Sequence, residues 1–146
     1  MIEVIDVKKS FGTQQVLNGI STVFDAGKNN LIIGKSGSGK TVLLKCIVGL
    51  LTPTEGHVLF DQEDYVAMNI FEKNEVRKQI GMLFQGGALF DSLTVEENVR
   101  FPLDMFTKMP MSDKKDRVNE VLKRVNLPNT NAKYPSQLSG GMQKRT

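Results

Sequence analysis

The stretch Leu31-Ile32-Ile33-Gly34-Lys35-Ser36-Gly37-Ser38-Gly39-Lys40-Thr41 decides the reading of this chain. It passes from an uninterrupted apolar triplet into a glycine-rich loop and then into a segment with helical spacing. A strand that ends in such a loop and reopens as a helix aims several backbone N–H groups, and the positive end of a helix dipole, at one point. That point suits a polyphosphate. The spelling is Gly, four residues, Gly, Lys, then Ser or Thr, and a strand before with a helix after is the context the phosphate loop requires. The glycines let backbone come close to phosphate oxygens, Lys40 is expected to reach the β and γ phosphates as a point charge, and the Thr41 hydroxyl is expected to sit on Mg²⁺.

Outward from the loop, Leu44, Ile47, Val48 and Leu51 recur at i, i+3, i+4, i+7 and predict a helix that buries that face and ends at Thr52-Pro53-Thr54. Leu31-Ile32-Ile33, with no polar interruption, predicts a strand covered on both faces. Upstream, Ile2, Val4 and Val7, then Val16-Leu17, Ile20 and Val23-Phe24, read as extended segments in a small antiparallel unit, separated by Asn18-Gly19 and Ala26-Gly27 turns. Downstream, Gly56 and His57 to Phe60 predict a strand closed by a polar turn at Asp61 to Asp64. Asn69 and Glu72 are spaced as a capping pair for a short surface helix through Gln79. Ile80-Gly81-Met82-Leu83-Phe84 is a second buried-strand candidate, ending at Gln85. Thr94 and Glu97 form a capping box for a helix expected to stop near Pro102. Met105, Met109 and Met111 surround Pro110 in a loosely packed connection. Ser112 is expected to cap a helix with Val118, Val121, Leu122 and Val125 on its inner face, closed by Leu127-Pro128. Strands alternating with helices give an α/β domain.

Bulk properties narrow the classes. At 146 residues, 40% hydrophobic and 24% charged, the chain can build a core of ordinary size, and no apolar run is long enough to cross a bilayer. The opening Met1 to Val7 alternates and carries acids, unlike a secretory signal. The single cysteine, Cys46, reads as a small core residue on the helix after the loop, in a reducing compartment. His57, the only histidine, has no ligand partners nearby and reads as a strand-edge residue. A net charge of +3 with acids interspersed, as in Lys114-Lys115-Asp116-Arg117, is a solvated surface, and no aromatic-interleaved basic stripe marks a nucleic acid as partner.

A phosphate loop does not separate kinases, GTPases and transport ATPases, but the rest of the chain does. Leu138-Ser139-Gly140-Gly141-Met142-Gln143-Lys144-Arg145 resembles the signature motif of the ABC-type ATPases. Gln85 lies where that family carries its glutamine loop, and Phe11-Gly12 resembles its adenine-stacking loop. The resemblance covers essentially the whole chain, residues 1–146, and implies a P-loop NTPase fold of ABC type. That fold combines an N-terminal antiparallel β unit, a RecA-like α/β core and a helical subdomain over roughly 86–140. It implies ATP and Mg²⁺ as ligands: Phe11 against the adenine, Gly34, Lys35, Ser36, Gly37, Ser38, Gly39, Lys40 and Thr41 around the phosphates, Thr41 and Gln85 on the metal, and Lys40 with Gln85 in the catalytic role. Ser139, Gly140 and Gly141 would close over ATP held by a second copy in a head-to-tail homodimer. The segment Met82 to Val99, with Phe101-Pro102-Leu103, further resembles the ATPase subunits of the phospholipid transporters that work with MCE-domain proteins. That implies membrane permease subunits as partners and a cytoplasmic position against the cell membrane.

In the family, the signature is followed by a strand ending in an Asp and a Glu, which hold Mg²⁺ and polarise the attacking water, and then by a switch histidine. The sequence stops at Thr146, five residues past Gly141, where the family usually has a small apolar residue. The expectation is therefore a cassette cut after the signature that binds nucleotide, hydrolyses little or none, and by itself is poorly stable or associates. Two rival readings are a non-transport ABC ATPase of DNA repair, chromosome structure or translation, and a nucleotide-sensing module without hydrolysis. The short interval between Thr41 and Ser139, free of heptads, disfavours the coiled-coil members of the first class.

Overall fold

Strands β1 (Ile2–Phe11) and β2 (Gln14–Phe24) form a long antiparallel hairpin, and β1 pairs on its other edge with β3 (Glu55–Phe60), which pairs with the short β4 (Glu63–Asp64). The order is β2-β1-β3-β4, all antiparallel. The computed structural model describes residues 1–84 and 87–146. Its two compact units are Met1–Gly81 and Met82–Thr146. Gln85 lies outside the described residues, so its expected role has no structural counterpart.

In the first unit, Val4 and Val7 are both buried although they are three residues apart, which a regular two-residue pleat forbids. Asp6 resolves this: it takes φ 44°, the ladder shifts between Val4 and Val7, and the bulge turns both valines to one face. There they meet Leu17, Val58 and the inner side of α1 (Lys40–Ile47), namely Leu43, Cys46 and Ile47. Each buried branched side chain contributes about 1.5–3 kcal/mol. The β3–β4 turn has two residues, Asp61 and Gln62, both at positive φ (47° and 75°), the pattern whose twist matches a hairpin.

Several expectations need correction. Asn18-Gly19 makes no turn: β2 runs unbroken through it from Gln14 to Phe24, with Gly19 at φ 71°. Leu31-Ile32-Ile33 forms no strand: Leu31 and Ile33 are 81% and 84% exposed. An apolar triplet becomes a strand only when a neighbour completes its ladder, and no described strand lies beside this one. Ile80 to Phe84 likewise makes no ladder. Helix α1 ends at Ile47, well before Thr52-Pro53, because Gly49 takes φ 73° and the Leu50 and Leu51 N–H groups turn back onto Lys45 O. The shorter helix buries Leu43, Cys46 and Ile47, leaving Leu44 exposed. Helix α2 (Ile70–Lys78) carries the expected capping box, with Asn69 Oδ1 accepting from Phe71 and Glu72 N–H and Glu72 Oε2 accepting from Asn69 N–H. His57 stands at the sheet edge, its Nδ1 2.7 Å from Asp64 Oδ2.

The second unit is helical. Helix α3 (Val95–Phe106) starts in the predicted Thr94–Glu97 capping box, which also holds the Glu97 carboxyl below its usual range through hydrogen bonds from the Thr94 backbone and side chain. It does not stop at Pro102. Proline removes one hydrogen bond there, yet the helix continues to Phe106; ion pairs Arg100–Glu96 and Arg100–Asp104 run along its face, with Asp104 also bound to Lys114 of α4 (Met111–Arg124). Pro110, not Ser112, is the residue before the first turn of α4; Ser112 lies inside it and bonds Asp113 instead. The core joins Val95, Val118, Leu122, Leu127 and Leu138. No helix among the described residues is long and apolar enough to cross a membrane.

Candidate functional site

The phosphate loop is pressed onto β2. Gly39, at φ 88°, precedes α1, and a Cβ added there would stand 3.0 Å from Leu17 Cδ2, 3.2 Å from Val16 O and 3.3 Å from Val16 Cγ1. Only glycine permits both that backbone conformation and that approach. The loop also closes on itself: Ser38 N–H donates to Lys35 O at 3.2 Å, and a Cβ on Gly34 would fall 2.7 Å from Ser38 Oγ. The Lys40 ammonium lies across the loop, donating to Gly34 O at 2.8 Å and Lys35 O at 2.7 Å. Those bonds anchor a cation with three donors at the centre of the curve.

This shape meets the requirements of a polyphosphate. Residues 34–38 are exposed, Gly39 and the side chain beneath it are packed, and the first turn of α1 starts at Lys40 with Thr41 exposed on it. Backbone donors, a helix N-terminus and one ammonium converge where an anion would rest. A cleft of ≈370 Å³ borders the inner side of the loop, but its walls include Ile20, Phe24, Leu31 and Ile33, an apolar lining that suits protein side chains rather than phosphate. Among the described residues no cluster of three His, Cys, Asp or Glu could hold a metal. Mg²⁺ is commonly held by few protein oxygens together with substrate phosphates, and the Thr41 hydroxyl is such an oxygen.

Phe11 lies at the tip of the β1–β2 hairpin, 47% exposed and paired with Gln14, two residues along β2 from the Val16 that touches Gly39. At about 3.4 Å per residue, ring and loop are on the order of 10 Å apart, the scale of a nucleotide. Sequence reasoning missed the residue that fixes this ring. Lys9 Nζ stands 5.3 Å from the Phe11 centroid and donates to Thr52 O at 2.7 Å, so one face of the ring carries a cation. The available signal was the two-residue spacing, which puts both side chains on one side of a strand. Cys46 is buried in α1, where burial pushes its thiol upward and leaves it unreactive, as its reading as a core residue requires.

Ser139, Gly140 and Gly141 belong to the second unit. Ser139 Oγ accepts from Met142 N–H at 3.3 Å and opens the short helix α5 (Gly140–Gln143). Gln143 Nε2 donates to Pro135 O at 2.8 Å, fixing the preceding turn. Added Cβ atoms on Gly140 and Gly141 would meet nothing within 4 Å, and neither glycine needs positive φ, so no described neighbour accounts for glycine at either position.

The sequence profile of the family described as "ABC transporter" matches residues 17–146. Two curated relatives are 40% identical across 99% of this chain. One is the "Probable ribonucleotide transport ATP-binding protein mkl" of Mycobacterium leprae, 42% of which is covered; the other is the "Intermembrane phospholipid transport system ATP-binding protein MlaF" of Haemophilus influenzae, 55% covered. The chain thus spans about half the length of these relatives. Among solved structures, the dimeric ATP-binding cassette MJ0796 in a post-hydrolysis state bound to ADP and Pi matches with TM-score 0.88 and 33% identity, covering 99% of this chain and 66% of that one.

Proposed function

This chain belongs to the ABC transporter family, and from that premise we propose that it is the nucleotide-binding portion of a transporter's ATP-binding subunit, working with membrane permease subunits on the cytoplasmic face of the membrane. The observation that carries the reading is the loop Gly34 to Thr41, seated on β2 with Lys40 held across it.

In this reading the Phe11 face away from Lys9 stacks on adenine. The loop N–H groups and Lys40 bind the β and γ phosphoryl oxygens and orient the terminal phosphoryl group. Thr41, with Gln85, holds the metal; Mg²⁺, when bound, neutralises charge on the phosphate oxygens. Ser139, Gly140 and Gly141 serve a different nucleotide, the one bound by a second copy in a head-to-tail homodimer. A hydroxyl and two glycines at the start of a helix, with no described neighbour within 4 Å of a Cβ added to either glycine, support an approach from outside. The similar cassette MJ0796, dimeric and bound to ADP and Pi, supports a nucleotide-bound dimer.

For cargo we propose phospholipid, on the likeness of Met82 to Leu103 to the MCE-associated ATPases and on the MlaF relative. The mkl relative, of equal identity, carries a different named cargo, which makes ribonucleotide the second reading. We also propose that the 146 residues alone bind ATP without turning it over: the loop and Lys40 supply contacts to the phosphates, whereas hydrolysis also needs an oriented water.

Photolabelling with 8-azido-ATP tests the site. Label is expected on the hairpin tip around Phe11, protected by ATP and poorly by AMP, which lacks the phosphates the loop reads. Label confined to other segments, or equal protection by AMP, overturns the assignment.

A further inference from the structure

The cation behind the Phe11 ring is itself anchored on a fixed carbonyl. Lys9 Nζ stands 5.3 Å from the ring centroid and donates to Thr52 O at 2.7 Å. The segment that carries this acceptor is clipped to β1 on both sides of Lys9. Thr54 N–H donates to Lys8 O at 2.8 Å, and Thr54 Oγ1 accepts from Ser10 N–H at 3.0 Å. Beside Thr52, Leu51 N–H bonds Lys45 O of α1. The two adjacent lysines serve different ends: Lys8 pairs with Glu55 at 2.7 Å, whereas the Lys9 ammonium meets a carbonyl and the face of a ring.

Phe11 has little else to hold it. It is the last residue of β1, 47% exposed and paired with Gln14 across the turn, and no aromatic pair among the described residues includes it. An exposed ring on two rotatable bonds loses rotamer freedom when a base stacks on it, and that loss weakens the stack. A cation over one face selects a ring orientation beforehand, so less freedom remains to be lost. It also occupies that face, so a base has one face left to stack on. The contacts run from Phe11 through Lys9 to Thr52 and so to α1, the helix that opens at the phosphate loop. Ring and loop are therefore placed relative to the same helix.

We infer, on the reading of Phe11 as the residue that stacks on adenine, that Lys9 is a positioning residue for base recognition: held by the Thr52 carbonyl, it fixes the Phe11 ring with one face open to the base of the nucleotide whose phosphates lie on the loop.

Calorimetric titration of MgATP, and separately of magnesium tripolyphosphate, which has the phosphates without the nucleoside, gives the base-dependent part of the affinity as the ratio of the two. In the 146-residue chain, Phe11→Ala is expected to lower that ratio at least about fivefold. Lys9→Met should lower it about two- to fivefold, and the conservative Lys9→Arg, which keeps a cation and a donor, should rescue it. Lys9→Met added to Phe11→Ala should lower it no further, because the effect runs through the ring. A merely structural loss would weaken both ligands alike and leave the ratio unmoved. A ratio unchanged by Phe11→Ala refutes the stacking assignment and the role of Lys9 with it. A ratio that falls with Phe11→Ala but is unmoved by Lys9→Met, is not rescued by Lys9→Arg, or falls further in the double variant overturns the role of Lys9 alone and leaves Phe11 in place.

Discussion

Replacing Gly39 with alanine and comparing it with Gly37→Ala separates two reasons for glycine in the phosphate loop. Both positions have positive φ, 88° and 79°, so each alanine bears a left-handed backbone strain of about 1–2 kcal/mol. The surroundings differ. An added Cβ at Gly37 meets nothing within 4 Å, whereas at Gly39 it meets Leu17 Cδ2 at 3.0 Å, Val16 O at 3.2 Å and Val16 Cγ1 at 3.3 Å. The 3.2 Å neighbour is main chain of β2 rather than the end of a flexible side chain, so relief comes by lifting the loop off β2. Overpacking of that kind costs a further 1–3 kcal/mol or so, giving about 2–5 kcal/mol for Gly39→Ala against about 1–2 for Gly37→Ala. Urea unfolding followed by tyrosine emission in a Tyr134→Phe background reads the first unit alone, since Tyr65 is then the only aromatic reporter of that kind. Equal losses for the two variants, or a smaller loss for Gly39→Ala, would refute the claim that the loop is seated by contact with β2.

Two further outcomes concern the second unit. The Asp104 carboxyl is held below its ordinary range by hydrogen bonds from Arg100 and Lys114. A depressed folded value means that this contribution to stability is present in full above about pH 4, the unfolded range, and is lost as pH falls through the folded value; unfolding free energies measured from pH 5 downward should show the loss, and Asp104→Asn should flatten it. Leu122, 2% exposed and packed with Val95 and Val118, should cost about 2–5 kcal/mol when cut to alanine, measured by chemical unfolding, while ATP affinity at the loop changes less than about twofold.

What could be read from sequence was what is decided locally. The phosphate loop is one case: its curve, its Lys40 and its seat before α1 come from consecutive residues. The two capping boxes are another, because each joins residues three apart. The misreadings share a different cause. Leu31 to Ile33 and Ile80 to Phe84 have the composition of buried strands, but a strand exists only through a ladder with residues distant in sequence, and composition does not supply the partner. On α1 the apolar spacing was matched equally well by two faces, and the early turn at Gly49 decided for Leu43, Cys46 and Ile47. Pro102 looked like a terminus because proline disfavours a helix interior locally, and the contacts α3 makes beyond it, such as Asp104 with Lys114 of α4, involve a neighbouring helix.

The central claim is that Gly34 to Thr41, with Lys40 at its centre, holds the phosphates of ATP. Calorimetric titration of MgATP into the 146-residue chain and its Lys40→Ala variant tests it most directly. The account predicts saturable one-to-one binding to the chain and at least roughly tenfold weaker binding to the variant, a difference of about 1.4 kcal/mol or more, consistent with a charge-assisted contact. Equal affinity in the two proteins would contradict it.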